Sequence, residues 1–302
     1  MIPNNNFSVL PWYKSIDEQN ARRWWVYGRV YPLYVPAGLL PPFQIMREHL
    51  DNSANISSFK LYDVNGVLIG DFTTEIIDAG ITIAAFAADG YDVIIFPGTI
   101  PVFTSMENGQ YYCELSDGTN VWWSDVFTVV NDIEPYLKIQ WWDTEDFIMD
   151  SGRIVYKTDQ WTFRNVLYLP STLAKPEYIY SEEGEERDGM FYPVKQISEK
   201  RYKFAFLAPE YLLDVTRFIR LSDYIKIAYH GNEYDADAFL LTPEWENNGD
   251  IATVQVEFET NTVAKKVGVG YIRAWRGDYN DDYNPDFSGD FNDDFNDDFF
   301  NE

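Results

Sequence analysis

Gln110–Val129, QYYCELSDGTNVWWSDVFTV, is two runs of strand-forming residues on either side of an Asp117-Gly118 pair. Aromatic and β-branched residues fill both runs. An Asp-Gly dipeptide supplies the positive φ that a tight hairpin needs. The same arrangement recurs upstream. Phe59–Val64 leads through Asn65-Gly66 into Val67–Ile69, and Ile81–Ala87 leads through Asp89-Gly90 into Tyr91–Phe96. Short strands separated by turn dipeptides at this spacing predict an antiparallel sandwich over residues 51–131.

Glu107-Asn108-Gly109-Gln110-Tyr111-Tyr112-Cys113 resembles the corner that opens strand F of immunoglobulin-like domains. There a tyrosine hydroxyl ties back to nearby backbone. The resemblance implies that Tyr111 is the corner tyrosine and that the sandwich is Ig-like, with Glu107 in place of the usual aspartate. Cys113 is the only cysteine, so no intramolecular disulfide can form. It reads as a small buried hydrophobe. As a catalytic thiol it would need a histidine, and His49 and His230 are the only two.

Downstream, Asn131 to Pro135 reads as a joint to a second β-rich domain, residues 132–276. Strands are expected near Leu137–Trp142, Gly152–Tyr156, Trp161–Leu169, Tyr202–Leu207, Tyr224–Tyr229, Tyr234–Leu241 and Ile251–Glu259. Ser181–Gly189 (SEEGEERDG) reads as an exposed loop, and His230-Gly231-Asn232 as a turn. The domain holds one predicted helix, about 209–221. Its apolar stripe is Tyr211, Leu212, Val215, Phe218 and Ile219, with Pro209 in the first turn and Glu210 at the positive end of the dipole.

The two ends differ from these domains. Residues 1–50 are rich in proline and aromatics without clean periodicity, and read as an extended arm. Within it Ser15 can cap a short helix, with Glu18 as its capping-box partner. Trp12, Trp24 and Trp25, with Tyr13, Tyr27, Tyr31 and Tyr34, need cover from their own domain or from a neighbouring copy. The last segment, residues 277–302, reads GDYNDDYNPDFSGDFNDDFNDDFFNE. It carries ten carboxylates, no lysine or arginine and no aliphatic residue. Such a segment is expected to be disordered alone. Its rings, Tyr279, Tyr283, Phe287, Phe291, Phe295, Phe299 and Phe300, suit either a solvated acidic tail or a peptide that docks on a partner. Asp290, Asn292 and Asp294 have the spacing of an EF-hand loop, but Phe295 stands where the turn glycine belongs and no glutamate closes the loop.

Charge narrows the function classes. The net charge is −26, so phosphate backbones and anionic lipid are repelled, and neither nucleic acid nor membrane insertion is expected. No basic or apolar leader and no apolar run of spanning length is present, so the chain is expected to be made in a cytoplasm. No metal or cofactor motif is found, and the chain is not expected to be an enzyme. Asp143, Glu145 and Asp146 beside Trp141-Trp142 are the best carboxylate cluster, but with 49 acidic residues such clusters arise by chance. The tryptophan pairs at 122–123 and 141–142 are candidate sugar-stacking residues. In a strand, one ring of each pair enters the core and the other faces outward.

Three passages carry a wider resemblance: FSVLPWYKSIDEQNARRWWVYGRVYPLY, GQYYCELSDGTNVWWSDVFTV, and the stretch from LAPEYLLDVTRFIRL to ETNTVAKKVG. Together they resemble tail-module proteins of phages and prophages that infect gut Bacteroidetes. The resemblance implies a structural virion protein of the tail, in a hub, tail tip or ring, with other copies of itself and other virion proteins as partners. A carbohydrate-binding module that contacts host-surface glycan is the alternative.

Overall fold

A computed structural model describes residues 8–25, 33–49, 55–86, 90–98, 100–103, 106–144, 147–148, 154–156, 163–187, 189–245, 251–260 and 264–267. Strands dominate. The first sandwich contains β1 (Trp12–Tyr13), β2 (Leu33–Pro36), β3 (Phe43–Glu48), β4 (Ser58–Asp63), β5 (Leu68–Asp71), β6 (Thr82–Phe86), β7 (Tyr91–Phe96), β8 (Gly109–Ser116), β9 (Val121–Ser124) and β10 (Phe127–Val130). Two helices join them, α1 (Ile16–Trp25) and α2 (Thr73–Asp78).

One layer is β5-β4-β8, with β9 and β10 in succession on the other side of β8; the second layer is β3-β7-β6. β2 runs parallel to β10, from Phe127↔Leu33 to Val130↔Pro36. This is the strand plan of an immunoglobulin-like sandwich. Phe59, Leu61, Cys113 and Leu115 from one layer meet Phe43, Ile45, Ile94 and Phe96 from the other in one buried cluster. The corner is formed as well: the Tyr111 hydroxyl donates to the Glu107 carbonyl at 3.1 Å.

Within the first 50 residues, the described segments 8–25 and 33–49 are not an extended arm. Their segments β2 and β3 are integral strands of the sandwich, and Val9, Leu10 and Trp12 are buried in its core. The prolines obscured this because Pro36 ends a short strand and Pro41-Pro42 immediately precede the next. The cap is in place: Glu18 N donates to Ser15 Oγ at 3.1 Å, while the Glu18 carboxylate accepts from Lys14 N at 3.2 Å rather than from the cap residue itself.

The turns at Asn65-Gly66 and Asp117-Gly118 are longer than two residues. Gly66 and Gly118 have positive φ, but Asn65 and Asp117 do not. Asp117 instead accepts hydrogen bonds from the N–H groups of Thr119 and Asn120, at 2.8 and 2.6 Å, closing a four-residue loop between Ser116 and Val121. At His230-Gly231 both φ angles are positive, and that turn is the tight two-residue kind.

The second β region contains β11 (Leu137–Trp142), β12 (Phe147–Ile148), β13 (Ile154–Tyr156), β14 (Asn165–Leu169), β15 (Glu177–Arg187), β16 (Met190–Pro209), β17 (Tyr224–Tyr229), β18 (Asn232–Trp245), β19 (Ile251–Thr260) and β20 (Ala264–Val267). β12 pairs with β13. The order β14-β11-β17-β18 forms one sheet, and β18 then shifts register between Ala236 and Ala238 to pair with β19, which pairs with β16. The predicted helix is shorter than its stripe. α3 (Glu210–Thr216) ends, and a 3₁₀ turn over Ile219–Leu221 carries the rest, with Pro209 as N-cap rather than in the first turn. Leu212, Val215, Phe218 and Ile219 are buried and Tyr211 is half-buried. Ser181–Gly189 is not a loop, since β15 runs through Arg187. The side chains of residues 181–186 are exposed, as the run of glutamates among them requires.

By contacts the chain divides into a unit of residues 1–177 with 201–261, and a second of 178–200 with the residues from 262 onward. The larger unit includes the first sandwich and, from the second β region, β11–β14, β17–β19 and the Arg201–Pro209 part of β16. β2 also bonds to β14 at Tyr168↔Tyr34, and Val93, Ile95 and Ala84 form a small second core with Phe163 and Phe218. That core explains why Val93–Phe96 is a continuous apolar run: β7 is buried on both faces. The smaller unit pairs Lys195–Ser198 of β16 with β20, and Lys195 Nζ lies 3.3 Å from Glu183.

Candidate binding cleft

β11 reads LKIQWW, and its alternation sorts the side chains. Leu137, Ile139 and Trp141 point into the core, whereas Lys138, Gln140 and Trp142 occupy the other face. The register with β14 sets Lys138 opposite Tyr168 and Gln140 opposite Val166. The register with β17 sets Trp142 opposite Tyr224. Trp142 and Tyr224 stack at 5.2 Å between centroids, 9° from parallel, and the Arg164 guanidinium lies 4.5 Å from the Trp142 ring centre. Strand register thus pairs the two rings, and the cation comes from the residue immediately before β14. Tyr224 is 48% exposed, so the stack is presented to solvent.

Beside this stack is a cleft of about 270 Å³. Lys138, Gln140, Val166 and Tyr168 line one side, with Arg164 contributing to the lining. The rest of the lining is Val35, Pro36, Leu39 to Pro42, Pro97 and Gly98, an apolar wall rich in proline. That wall is fixed by backbone. Gly38 accepts through its carbonyl from Val102 N and Phe103 N, at 2.9 and 3.1 Å, and Gly98 (φ 66°) lies so close to Pro42 that a Cβ would fall 2.9 Å from the ring. A preformed wall costs little ordering entropy when something binds.

The electrostatics of the cleft run against the chain as a whole. Burial pushes the Lys138 ammonium below its usual 10.5, only partly offset by the charge of Glu233, and burial pushes the Tyr168 phenol up to about 12. Among the described residues, neither Lys138 nor Arg164 has a carboxylate within ion-pair distance. An anion entering here would stabilise a partly desolvated cation.

The residues singled out from sequence are distributed as follows. Trp142 is in the stack, while Trp141 (1% exposed) and Trp122 (3%) are core residues and cannot stack a sugar. Trp123 is half-buried beside Tyr62 and Tyr112, with centroids at 5.8 and 6.1 Å. Trp12 is buried on Phe43 at 4.5 Å, inside its own sandwich, and is not available to a partner. Trp24 and Trp25 end α1, but their side chains lie outside the described residues, as do Tyr279, Tyr283, Phe287, Phe291, Phe295, Phe299 and Phe300. Cys113 is fully buried, and burial raises its thiol well above 9.0 despite a hydrogen bond with Ser124. Asp143 is half-buried, its pKa raised by burial, and it accepts from Asp223 N at 2.8 Å; Glu145 and Asp146 are outside the described residues.

Lys138, Arg164, Tyr168 and Tyr224 were not singled out from sequence. The wet positions of LKIQWW are visible there, but the register that gathers the other strands around them is not.

A second charged cluster belongs to the first sandwich. Arg47, Asp92 and Asp117 are all buried, and the guanidinium donates to Asp92 Oδ2 from Nε and Nη2 at 3.2 and 3.1 Å and to Asp117 Oδ2 from Nη1. His49 Nδ1 lies 2.7 Å from Asp92 Oδ1. The cluster ties the end of β3 to the start of β7 and to the β8–β9 turn.

No protein-family model and no curated protein matches the chain. Among solved structures, it is similar to the crystal structure of Dpr2 Ig1-Ig2 in complex with DIP-Theta Ig1-Ig3, at 10% identity over 79% of this chain and 95% of that one. The TM-score is 0.13, too low to carry any argument.

Proposed function

We propose that this chain is a non-enzymatic structural protein of a phage tail, a hub, tail-tip or ring component that works through contacts with other copies and other virion proteins. The observation that carries the protein-contact part is the exposed Arg164–Trp142–Tyr224 stack beside the proline-walled cleft. Arginine, tryptophan and tyrosine are the residues that most often dominate protein interfaces, and here Trp142 and Tyr224 sit on paired strands with Arg164 immediately before β14. The virion part rests on the sequence resemblance. Electron microscopy of the purified chain with neighbouring tail proteins tests it: rings or fibres support the reading, and their absence at every ratio counts against it.

Carbohydrate binding is the second reading, favoured by the same Trp142–Tyr224 platform, which could receive a sugar ring. A glycan array on which wild type binds and Trp142→Ala does not would favour it; a blank array would remove it.

A further inference from the structure

We infer that the cleft bordered by Lys138 and Arg164 receives the acidic-aromatic segment Gly277–Glu302 of a second copy of this chain. The inference rests on the assembly reading above and names the contact that reading lacks.

The first argument is charge. The sequence has 49 acidic and 23 basic residues, so most of its surface repels a segment that carries ten carboxylates. At the cleft two cations border an apolar wall with no carboxylate in ion-pair contact among the described residues, Glu233 acting on Lys138 only at longer range. A carboxylate seated there gains a charge-assisted contact.

The second argument is shape and chemistry. A space of about 270 Å³ holds one ring with its adjacent carboxylate, not a folded domain. The tail repeats that unit: Asp286-Phe287, Asp290-Phe291, Asp294-Phe295 and Asp298-Phe299. The ring meets Pro41, Pro42 and Pro97, and the acid meets Lys138 and Arg164. Repetition raises the effective concentration of a weak unit without a new contact. A cleft on one copy filled by the tail of the next joins unlike surfaces, and such contacts close into rings or extend into filaments.

The test uses the full chain. Phe291 is replaced by p-benzoylphenylalanine, isotopically light and heavy protein are mixed and irradiated, and the cross-linked peptides are mapped. The expected result is light–heavy cross-links on the 39–42 wall and on β14. Lys138→Glu with Arg164→Glu should lower their yield about tenfold, the loss of two charge-assisted contacts. Asp290→Lys, Asp293→Lys and Asp294→Lys together should restore it, which a merely misfolded double variant would not allow.

Cross-links that map elsewhere, or a yield unchanged in the double variant, overturn the cleft assignment. Links confined to one isotope overturn the second-copy occupant. If the protein still assembles in either case, the assembly reading stands without this contact; if links reach the cleft while the mass stays monomeric, the assembly reading falls instead.

Discussion

Replacing Arg47 by methionine should be among the most damaging single changes in the first sandwich. Arg47 is 4% exposed and faces Asp92 and Asp117, themselves 2% and 4% exposed. Three N–H donors reach those carboxylates, and methionine keeps most of the side-chain volume but supplies none. Removing one partner of a buried ion pair costs about 3–5 kcal/mol, because the other charge is left desolvated. That is a large part of the roughly 5–15 kcal/mol by which domains are stable. The fall in Tm should be about 10 °C.

Acid should narrow the difference. Burial tends to raise Asp117, but hydrogen bonds from Asn120 and Thr119, followed by Arg47, hold it below its usual 3.8. Its contribution is therefore complete above that value and is lost as pH falls through the lower folded value. Without Arg47 the depression is smaller, so the advantage of wild type shrinks in that acid window. Urea denaturation of both proteins at neutral pH and near pH 3.5 measures this. Arg47→Met with Asp92→Asn and Asp117→Asn should recover much of the loss, since no buried charge is then unpaired. A single-variant loss under about 1 kcal/mol would show that Arg47 is not a buried, uncompensated partner, because exposed pairs behave that way.

Tyr111→Phe removes only the hydroxyl bond to the Glu107 carbonyl and should cost about 1 kcal/mol by chemical denaturation. Gly38→Ala should cost about 1–3 kcal/mol, because φ is 85° and the new Cβ would lie 2.9 Å from the Phe103 carbonyl oxygen; a thermal melt reads it. Cys113 should not react with Ellman's reagent in the native protein at pH 8 and should react at once in guanidinium, since burial both shields it and keeps it protonated.

What could be read from the chain followed local physics. The strand-forming run Leu137–Trp142 was legible as a strand, and Tyr111 marked the corner because its hydrogen bond reaches only four residues back. Ser15 announced α1 for the same reason. Long-range pairing hid the rest. Leu33–Pro36 is a strand because β10 and β14 flank it, and nothing in LYVP says so. α2 was missed because six residues, TTEIID, bury only Ile76 and leave no helical stripe. Ser181–Arg187 looked like a loop because charge usually marks one; here it is strand, and Gln196 and Lys195 bind Glu182 and Glu183. The cleft was invisible because Pro41, Pro97, Lys138 and Arg164 are far apart in sequence and meet only through the sheet.

Assembly is tested most directly by the native mass of the chain, by light scattering across concentration, beside the Lys138→Glu, Arg164→Glu variant. Assembly through the cleft predicts a mass that rises to multiples of 35.2 kDa for wild type and stays near 35.2 kDa for the variant. A wild-type mass fixed at 35.2 kDa at every concentration would contradict it.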